Sequence, residues 1–285
     1  FNRKSFMLYV CATPIGNLAD ITLRALEILK NADIILCEDT RNSQKLLSHH
    51  GIINKKLVAL HEHNENEISQ NVLQWLEQNL TIVQISDAGT PGISDPGARL
   101  CNTLSSHNIY PHPLPGACAY ITLLSVSGIV NTPSLFFGFL PSKTSQRQKQ
   151  LALWQEVDYA VALYESPHRI CDSLKDIIQV LGDDRMLVMG RELTKQFETI
   201  RKCSADELLQ FVESDHNQQR GEFVILILPR IREQALASDE LSTEQKSTVT
   251  LLAIELPAKK AVNLTHKLCG GNKDTLYNYL LTLKA

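Results

Sequence analysis

Paired cysteines at metal-binding spacing are missing from this sequence: Cys11, Cys37, Cys101, Cys118, Cys171, Cys203 and Cys269 are odd in number, scattered, and include no CxxC. Neither a disulfide framework nor a zinc site is expected, and the thiols should be reduced and structural. No apolar run approaches the roughly 20 residues of a membrane-spanning helix. The opening Phe1-Asn2-Arg3-Lys4-Ser5-Phe6 lacks the apolar core of a signal peptide. A cytoplasmic protein without membrane association is the expectation. A Gly-x-Gly-x-Gly fingerprint is absent too, and so is a Gly-x-x-x-x-Gly-Lys-Ser/Thr loop, which disfavours phosphoryl transfer.

What is present suits packed cores. The 285 residues are 44% hydrophobic, enough for two ordinary domains and a small appendage. Apolar runs at 6–12, 34–37, 57–60 and 82–85 alternate with helical-period segments at about 20–31, 41–50, 65–79 and 95–107, the pattern of a parallel sheet with crossover helices. Segment 109–114 closes this unit at Pro115-Gly116, and an apolar helix of small residues runs to about 127. Strands are predicted at 135–139, 159–164, 185–190, 197–202 and 222–228, with helices at about 145–156, 167–181 and 204–214. Fewer helices per strand there imply a mixed sheet. The expected domains are therefore 1–116, 117–230, a polar linker at 231–244 and a helical module at 245–285, its three helices separated by Pro257 and by Gly270-Gly271 with Asn272 as an N-cap.

A formal net charge of −3 excludes a generally sticky nucleic-acid coat, but the charge is uneven. Residues 257–285 carry Lys259, Lys260, Lys267, Lys273 and Lys284 against one acid, Asp274. Residues 141–150 carry Lys143, Arg147 and Lys149 and no acid. Solvated surface is the commoner fate of such clusters.

Two stiff loops stand out. Thr13-Pro14-Ile15-Gly16-Asn17-Leu18 follows the first strand, and Ser86-Asp87-Ala88-Gly89-Thr90-Pro91-Gly92-Ile93-Ser94-Asp95-Pro96-Gly97 follows the fourth. Their glycines and prolines fix tight paths, Ser94 or Asp95 can cap the next helix, and carboxyl ends of parallel strands are where open α/β sheets bind ligands. In Glu38-Asp39-Thr40-Arg41, Asp39 or Thr40 can cap a helix while Arg41 answers an acid. In Tyr164-Glu165-Ser166-Pro167-His168-Arg169, Ser166 can cap a helix that begins at Pro167, leaving Glu165, His168 and Arg169 for another purpose. Arg191 and Lys195 can be solvated charges.

These motifs, with Pro115-Gly116 and Arg191-Glu192-Leu193-Thr194-Lys195, stand in the order found in the 16S rRNA (cytidine-2′-O)-methyltransferases, the ribosomal RNA small subunit methyltransferase I family of the tetrapyrrole methylase superfamily, which the chain resembles over almost its whole length. Leu256-Pro257-Ala258-Lys259-Lys260-Ala261 and Asn272-Lys273-Asp274-Thr275-Leu276-Tyr277 resemble that family's C-terminal helix-turn-helix module. Asp87-Ala88-Gly89-Thr90-Pro91 replaces the Gly-Asp-Pro loop usual in the tetrapyrrole branch, which favours the rRNA branch.

The resemblance implies two α/β domains with S-adenosyl-L-methionine folded between them, 16S rRNA or the small ribosomal subunit as substrate, a homodimer, and no metal. For the donor it implies Asp87, Ala88 and Gly89, Ile93 as an apolar wall, Ala117 and Cys118, together with Pro14, Tyr164, Leu193 and Gly221. A ribose 2′-hydroxyl is a poor nucleophile until it begins to lose its proton, so a base or cation should help. Glu38, Asp39, Arg41, Glu165, His168, Arg169, Glu192 and Lys195 all lie at predicted strand ends, and Asp39, Arg41, Glu165 and Lys195 are the expected catalytic residues. The expected RNA contacts are His168, Arg169, Lys143, Arg147, Lys259, Lys260, Lys267 and Lys273. Two other readings stay open: a methyltransferase acting on a tetrapyrrole or protein side chain, and a non-catalytic RNA-binding assembly protein.

Overall fold

A computed structural model describes residues 7–230 and 241–283. The chain divides into two units, residues 1–230 and 231–285. In the first, strands β1 (Leu8–Cys11), β2 (Ile34–Cys37), β3 (Lys56–Ala59), β4 (Ile82–Ile85) and β5 (His112–Leu114) form a parallel sheet ordered β3-β2-β4-β1-β5. Helices α1 (Leu23–Asn31), α2 (Thr40–His49), α3 (Glu65–Glu77) and α4 (Ala98–Ser106) connect successive strands. β2 is buried at every position because each face has a cover: Ile35 and Cys37 join one core, Ile34 and Leu36 the other.

Helix α5 (Ala119–Val126) leads into a second sheet of β6 (Ser134–Phe139), β7 (Ala160–Glu165), β8 (Met186–Arg191), β9 (Thr199–Ser204) and β10 (Phe223–Ile227), ordered β6-β7-β10-β8-β9. β6 and β7 are parallel and the other pairs antiparallel, so this sheet is mixed, as expected. Helices α6 (Thr144–Ala152), α7 (Ile170–Leu181) and α8 (Ala205–Ser214) cover one face, where Val161, Leu163, Phe223 and Ile225 are buried. The opposite face, with Ala162, Val188, Val224 and Leu226, packs on Leu123 of α5 and on Ile15 from the first loop. That contact brings the two sheets' functional edges together.

Two helix starts differ from expectation. α4 begins after Gly97, and its free N–H groups are satisfied by Glu65 of α3, whose Oε1 accepts from Gly97 (2.7 Å), Arg99 (3.0 Å) and Leu100 (3.3 Å). Ser94 is instead in the left-handed region at φ +68°, and Asp95 lines a cavity. α7 begins at Ile170, not Pro167, and it is the Ser166 carbonyl, not its hydroxyl, that accepts from Arg169 and Ile170. Within β4, Gln84 is 1% exposed among apolar neighbours and donates through Nε2 to the Pro96 carbonyl at 2.9 Å. A Cβ on Gly97, at φ +126°, would overlap that amide.

The second unit is a three-helix module: α9 (Thr243–Glu255), capped by a Ser242–Gln245 box, α10 (Ala258–Cys269) and α11 (Lys273–Thr282), capped by Asn272. Val249, Ala261, Val262, Leu276 and Leu280 fill its core. Of the expected linker, 231–240 lie outside the described residues, as does Lys284, while Thr243 and Glu244 already belong to α9.

Candidate functional site

The two stiff loops meet. Thr13 and Gly89 exchange both backbone hydrogen bonds, N–H to carbonyl at 2.8 Å and 3.0 Å, as an isolated antiparallel bridge. Thr13 Oγ1 donates to the Ser86 carbonyl at 3.0 Å, and Ser86 Oγ donates to the Gly89 carbonyl at 2.9 Å. Gly89 holds φ at +87°, which an L side chain rarely adopts. Thr90 Oγ1 reaches the Ala117 carbonyl at 3.0 Å, fixing the loop to the segment that enters α5.

Beside this bridge lies a cavity of about 480 Å³. Ile15, Ala88, Gly89 and Ile93 line it from the parallel-sheet side, with Cys118 and Ala119 at α5. Phe139, Tyr164, Leu193 and Val224 line it from the mixed sheet. Its ionisable walls are acidic: Glu38, Asp87, Asp95, Glu165 and Glu222, with no Lys, Arg or His among the described lining residues. Burial, then the neighbouring Glu38, pushes Asp95 up to about 6. Burial and the Asp87 and Asp39 charges raise Glu38 as well. Asp87 is held by neutral donors, accepting from the Asp39 N–H at 3.1 Å and Asn42 Nδ2 at 2.9 Å.

Of the residues expected around the donor, Asp87, Ala88, Gly89, Ile93, Cys118, Tyr164 and Leu193 line the cavity. Ala117 stands behind the wall through its carbonyl, while Pro14 and Gly221 sit one residue away from the lining Ile15 and Glu222. Of the four expected catalytic residues, Glu165 is on the wall and 3% exposed. Its carboxylate accepts from the Ser166 N–H (2.8 Å), Ser173 Oγ (2.6 Å) and Arg169 Nη2 (3.3 Å). Asp39 caps α2 and pairs with Arg41, which draws its pKa down to about 2. The Arg41 side chain is 86% exposed. Lys195 is spent on Glu192 and Glu222, at 2.8 Å each.

Arg147 corrects the sequence reading. It is 3% exposed, ion-paired with Asp176 of α7, and its Nη1 donates to the Ser142 carbonyl at 3.3 Å, so it stitches α6 to α7 and is not a surface phosphate contact. Arg191 is no solvated charge either, being 6% exposed and hydrogen-bonded throughout its guanidinium. Arg169 is half-buried on the Leu140 carbonyl and Glu165, whereas Lys143 and His168 are exposed. Lys259, Lys260, Lys267 and Lys273 are exposed on the helical module, without an acidic partner within 4 Å among the described residues. Asp95, Phe139 and Glu222 were not singled out as site residues. Asp95 reads locally as a cap and Phe139 as core; a break in the β6–β7 register between Phe136 and Gly138 turns Phe139 to the face of Tyr164, and no local pattern announces it.

Residues 7–209 match the family model described as Tetrapyrrole (Corrin/Porphyrin) Methylases, and residues 239–284 match that of the RsmI C-terminal HTH domain. The chain is 44% identical over 275 residues to the ribosomal RNA small subunit methyltransferase I of Escherichia coli O157:H7, covering 96% of this chain and 94% of that one. The chain belongs to this methyltransferase I family, within the tetrapyrrole methylases. The corresponding family member of Pseudomonas aeruginosa is 43% identical over 96% of both chains. Among solved structures, a cobalt precorrin-4 methyltransferase superposes with a TM-score of 0.58 at 18% identity, covering 80% of this chain and 97% of that one. A diphthine synthase superposes at 0.56 with 14% identity, covering 79% and 90%. At such identities these two matches speak for the fold alone.

Proposed function

We propose that this protein is an S-adenosylmethionine-dependent methyltransferase that methylates the ribose 2′-oxygen of a cytidine in 16S rRNA of the small ribosomal subunit, acting in the cytoplasm. Supporting the reaction class is the Thr13–Gly89 bridge, which sets two small-residue loops beside a cavity in a chain matching a methyltransferase I relative over 96% of its length. The cavity suits the donor. Its volume is within the ~300–1,000 Å³ range of small-molecule sites, Ala88 and Gly89 allow close approach of an adenosine to main-chain atoms, and Ile15, Ile93, Leu193 and Val224 supply apolar surface. The acidic walls complement a ligand that is cationic at sulfur and nitrogen. When bound, the donor supplies an electrophilic methyl group on a sulfonium.

The chain's own part is positioning and proton handling. Glu165, on the wall, is held in one orientation by Ser173 and Arg169. Arg41, 86% exposed, is assigned to orienting the RNA and its 2′-hydroxyl, with Asp39 fixing it through their ion pair and Lys195 fixing the lining Glu222. His168 and Arg169, which follow the lining Pro167, Lys143 at the exposed start of α6, and Lys259, Lys260, Lys267 and Lys273 on the helical module are assigned to RNA phosphates. The module argues for a macromolecular substrate over a tetrapyrrole, which has no need of a second basic unit. A homodimer belongs to the same proposal: edge strand β6 leaves Leu135 and Phe137 exposed, apolar surface that a second copy would cover.

The test incubates purified protein with labelled donor and small subunits lacking the modification, followed by nucleoside mass spectrometry. A 2′-O-methylated cytidine is the expected product. Label in protein, in a base, or nowhere would overturn the assignment.

A further inference from the structure

Arg191, at the end of β8, is a buried cation whose partners are carbonyls and a hydroxyl. Nε donates to the Arg220 carbonyl at 2.8 Å, Nη2 to the Asn217 carbonyl at 2.8 Å, and Nη1 to the Phe197 carbonyl at 3.2 Å and Thr199 Oγ1 at 3.3 Å. Among the described residues no carboxylate lies within 4 Å of it. Burying a charge without a counter-charge is unfavourable unless it is hydrogen-bonded, and here all three guanidinium nitrogens donate, in four bonds that join two separate stretches of chain. One stretch is the β8–β9 connection, 191–199; the other is 217–220, just before β10.

Both stretches continue directly into the cavity wall. Leu193, 5% exposed, lines the cavity from the first; Glu222, Phe223 and Val224 line it from the second. They are also bonded to each other, Glu192 N–H to the Glu222 carbonyl at 3.0 Å and Glu222 N–H to Glu192 Oε1 at 3.0 Å. The path is a strained one. Glu192 and Thr194 on either side of Leu193 hold φ of +51° and +67°, and Gly221 at +94° has no room for a Cβ beside Glu192. Non-glycine residues stay in that region only where their surroundings over-determine them. The same connection touches the opposite loop: Asn17 N–H donates to Thr194 Oγ1 at 3.2 Å, and a Cβ on Gly16 would overlap Lys195.

We propose that Arg191 is the positioning residue of the donor site: its guanidinium clamps 191–199 to 217–220, and thereby holds Leu193 inward and sets the Glu222–Val224 wall at the distance the methyl donor requires. This assignment rests on the reading of the cavity as the donor site. Arg191 itself touches no reacting atom. It acts through Leu193 and through Thr194, which accepts from the Asn17 N–H.

The full-length protein and its Arg191→Gln and Arg191→Lys variants are compared by calorimetric titration with S-adenosylmethionine, by steady-state methylation of undermethylated small subunits, and by thermal unfolding. Gln keeps two donors and Lys keeps the charge, but neither spans four acceptors. The expected result in folded variants is a donor Kd and KM raised about tenfold, with kcat at saturating donor changed less than about threefold, the pattern of lost binding geometry. A purely structural arginine would lower the melting temperature and the active fraction and leave the donor Kd of the folded molecules unchanged; that outcome overturns the proposal. Should both variants fail to fold, hydrogen exchange on the unaltered protein decides: donor should protect amides of 192–195 and 217–222 together with those of 87–89, and protection of 87–89 alone overturns it. Absence of donor binding by the unaltered protein would remove the donor site itself, and with it this assignment.

Discussion

Thr13 and Gly89 lie 76 residues apart and hold each other by a reciprocal pair of backbone hydrogen bonds, the only ladder contact outside the named strands among the described residues. A Cβ on Gly89 would meet nothing closer than Ile15 Cγ2 at 3.5 Å, so the position is selected by its backbone angle and not by crowding. Gly89→Val should therefore strain the bridge by about 1–3 kcal/mol. Calorimetry should show donor affinity reduced at least about tenfold, about 1.4 kcal/mol, in a protein whose circular dichroism is native. Retained affinity in the folded variant would remove this loop from the donor site.

Glu65 should be among the costlier residues to lose in the parallel-sheet half. Its buried carboxylate is the acceptor for three N–H groups at the start of α4. Glu65→Ala leaves these donors unsatisfied and should destabilise by about 2–4 kcal/mol, read as a lower urea midpoint at unchanged slope. A loss below ~1 kcal/mol would mean that water replaces the carboxylate.

Asp95 predicts a pH dependence with a definite sign. Its folded pKa, near 6, is above its ordinary value of 3.8, so the folded state binds the proton more tightly and Asp95 weighs against the ligand-free fold increasingly as pH rises from about 4 through 6. Because the residue is only partly buried, the effect is discounted for solvent. Asp95→Asn should raise the melting temperature of the ligand-free protein at pH 8 by a few degrees, on the order of 2–4 °C, and not at pH 3.5. Affinity for a cationic donor should move oppositely, strengthening in the native protein from pH 5 to 7 and staying flatter in the variant.

Replacing Lys259, Lys260, Lys267 and Lys273 together by Gln should weaken RNA binding and flatten its salt dependence while donor affinity stays put. Each lost phosphate contact removes about 0.7 from the log–log slope for single strands or 0.9 for a duplex. A filter-binding series from low to moderate salt measures it. An unchanged slope would leave these lysines as solvent-facing charge and shift RNA recognition to Lys143 and His168.

Legibility in the sequence followed the range of the interaction. The bounds of β2 and β4 were readable to the residue, because strands covered on both faces are apolar runs whatever surrounds them, interrupted in β4 by Gln84 alone. The helix starts that were misread depend on distant partners: Glu65 reaches α4 from 32 residues away, and no local pattern announces it. Arg147 sits in a polar stretch that looks like solvated surface until Asp176, 29 residues on, meets it. Arg191 likewise finds its acceptors up to 29 residues away. The loops of the site were visible because glycine and proline declare backbone geometry locally, whereas Asp95 and Phe139 became site residues only once two sheets faced each other.

The amide of Gln84 gives β4 a means of error correction. A strand made of apolar residues alone can pair with its neighbours one residue out of step at modest cost, since each side chain merely trades one greasy face for the other. Here such a slip would swing Gln84 to the wrong side, strand its amide and the Pro96 carbonyl without each other, and drive a side chain into the place that Gly97 leaves open. Misthreaded chains are thus penalised at one position. The loop that borders the cavity is proofread by the core before any ligand arrives.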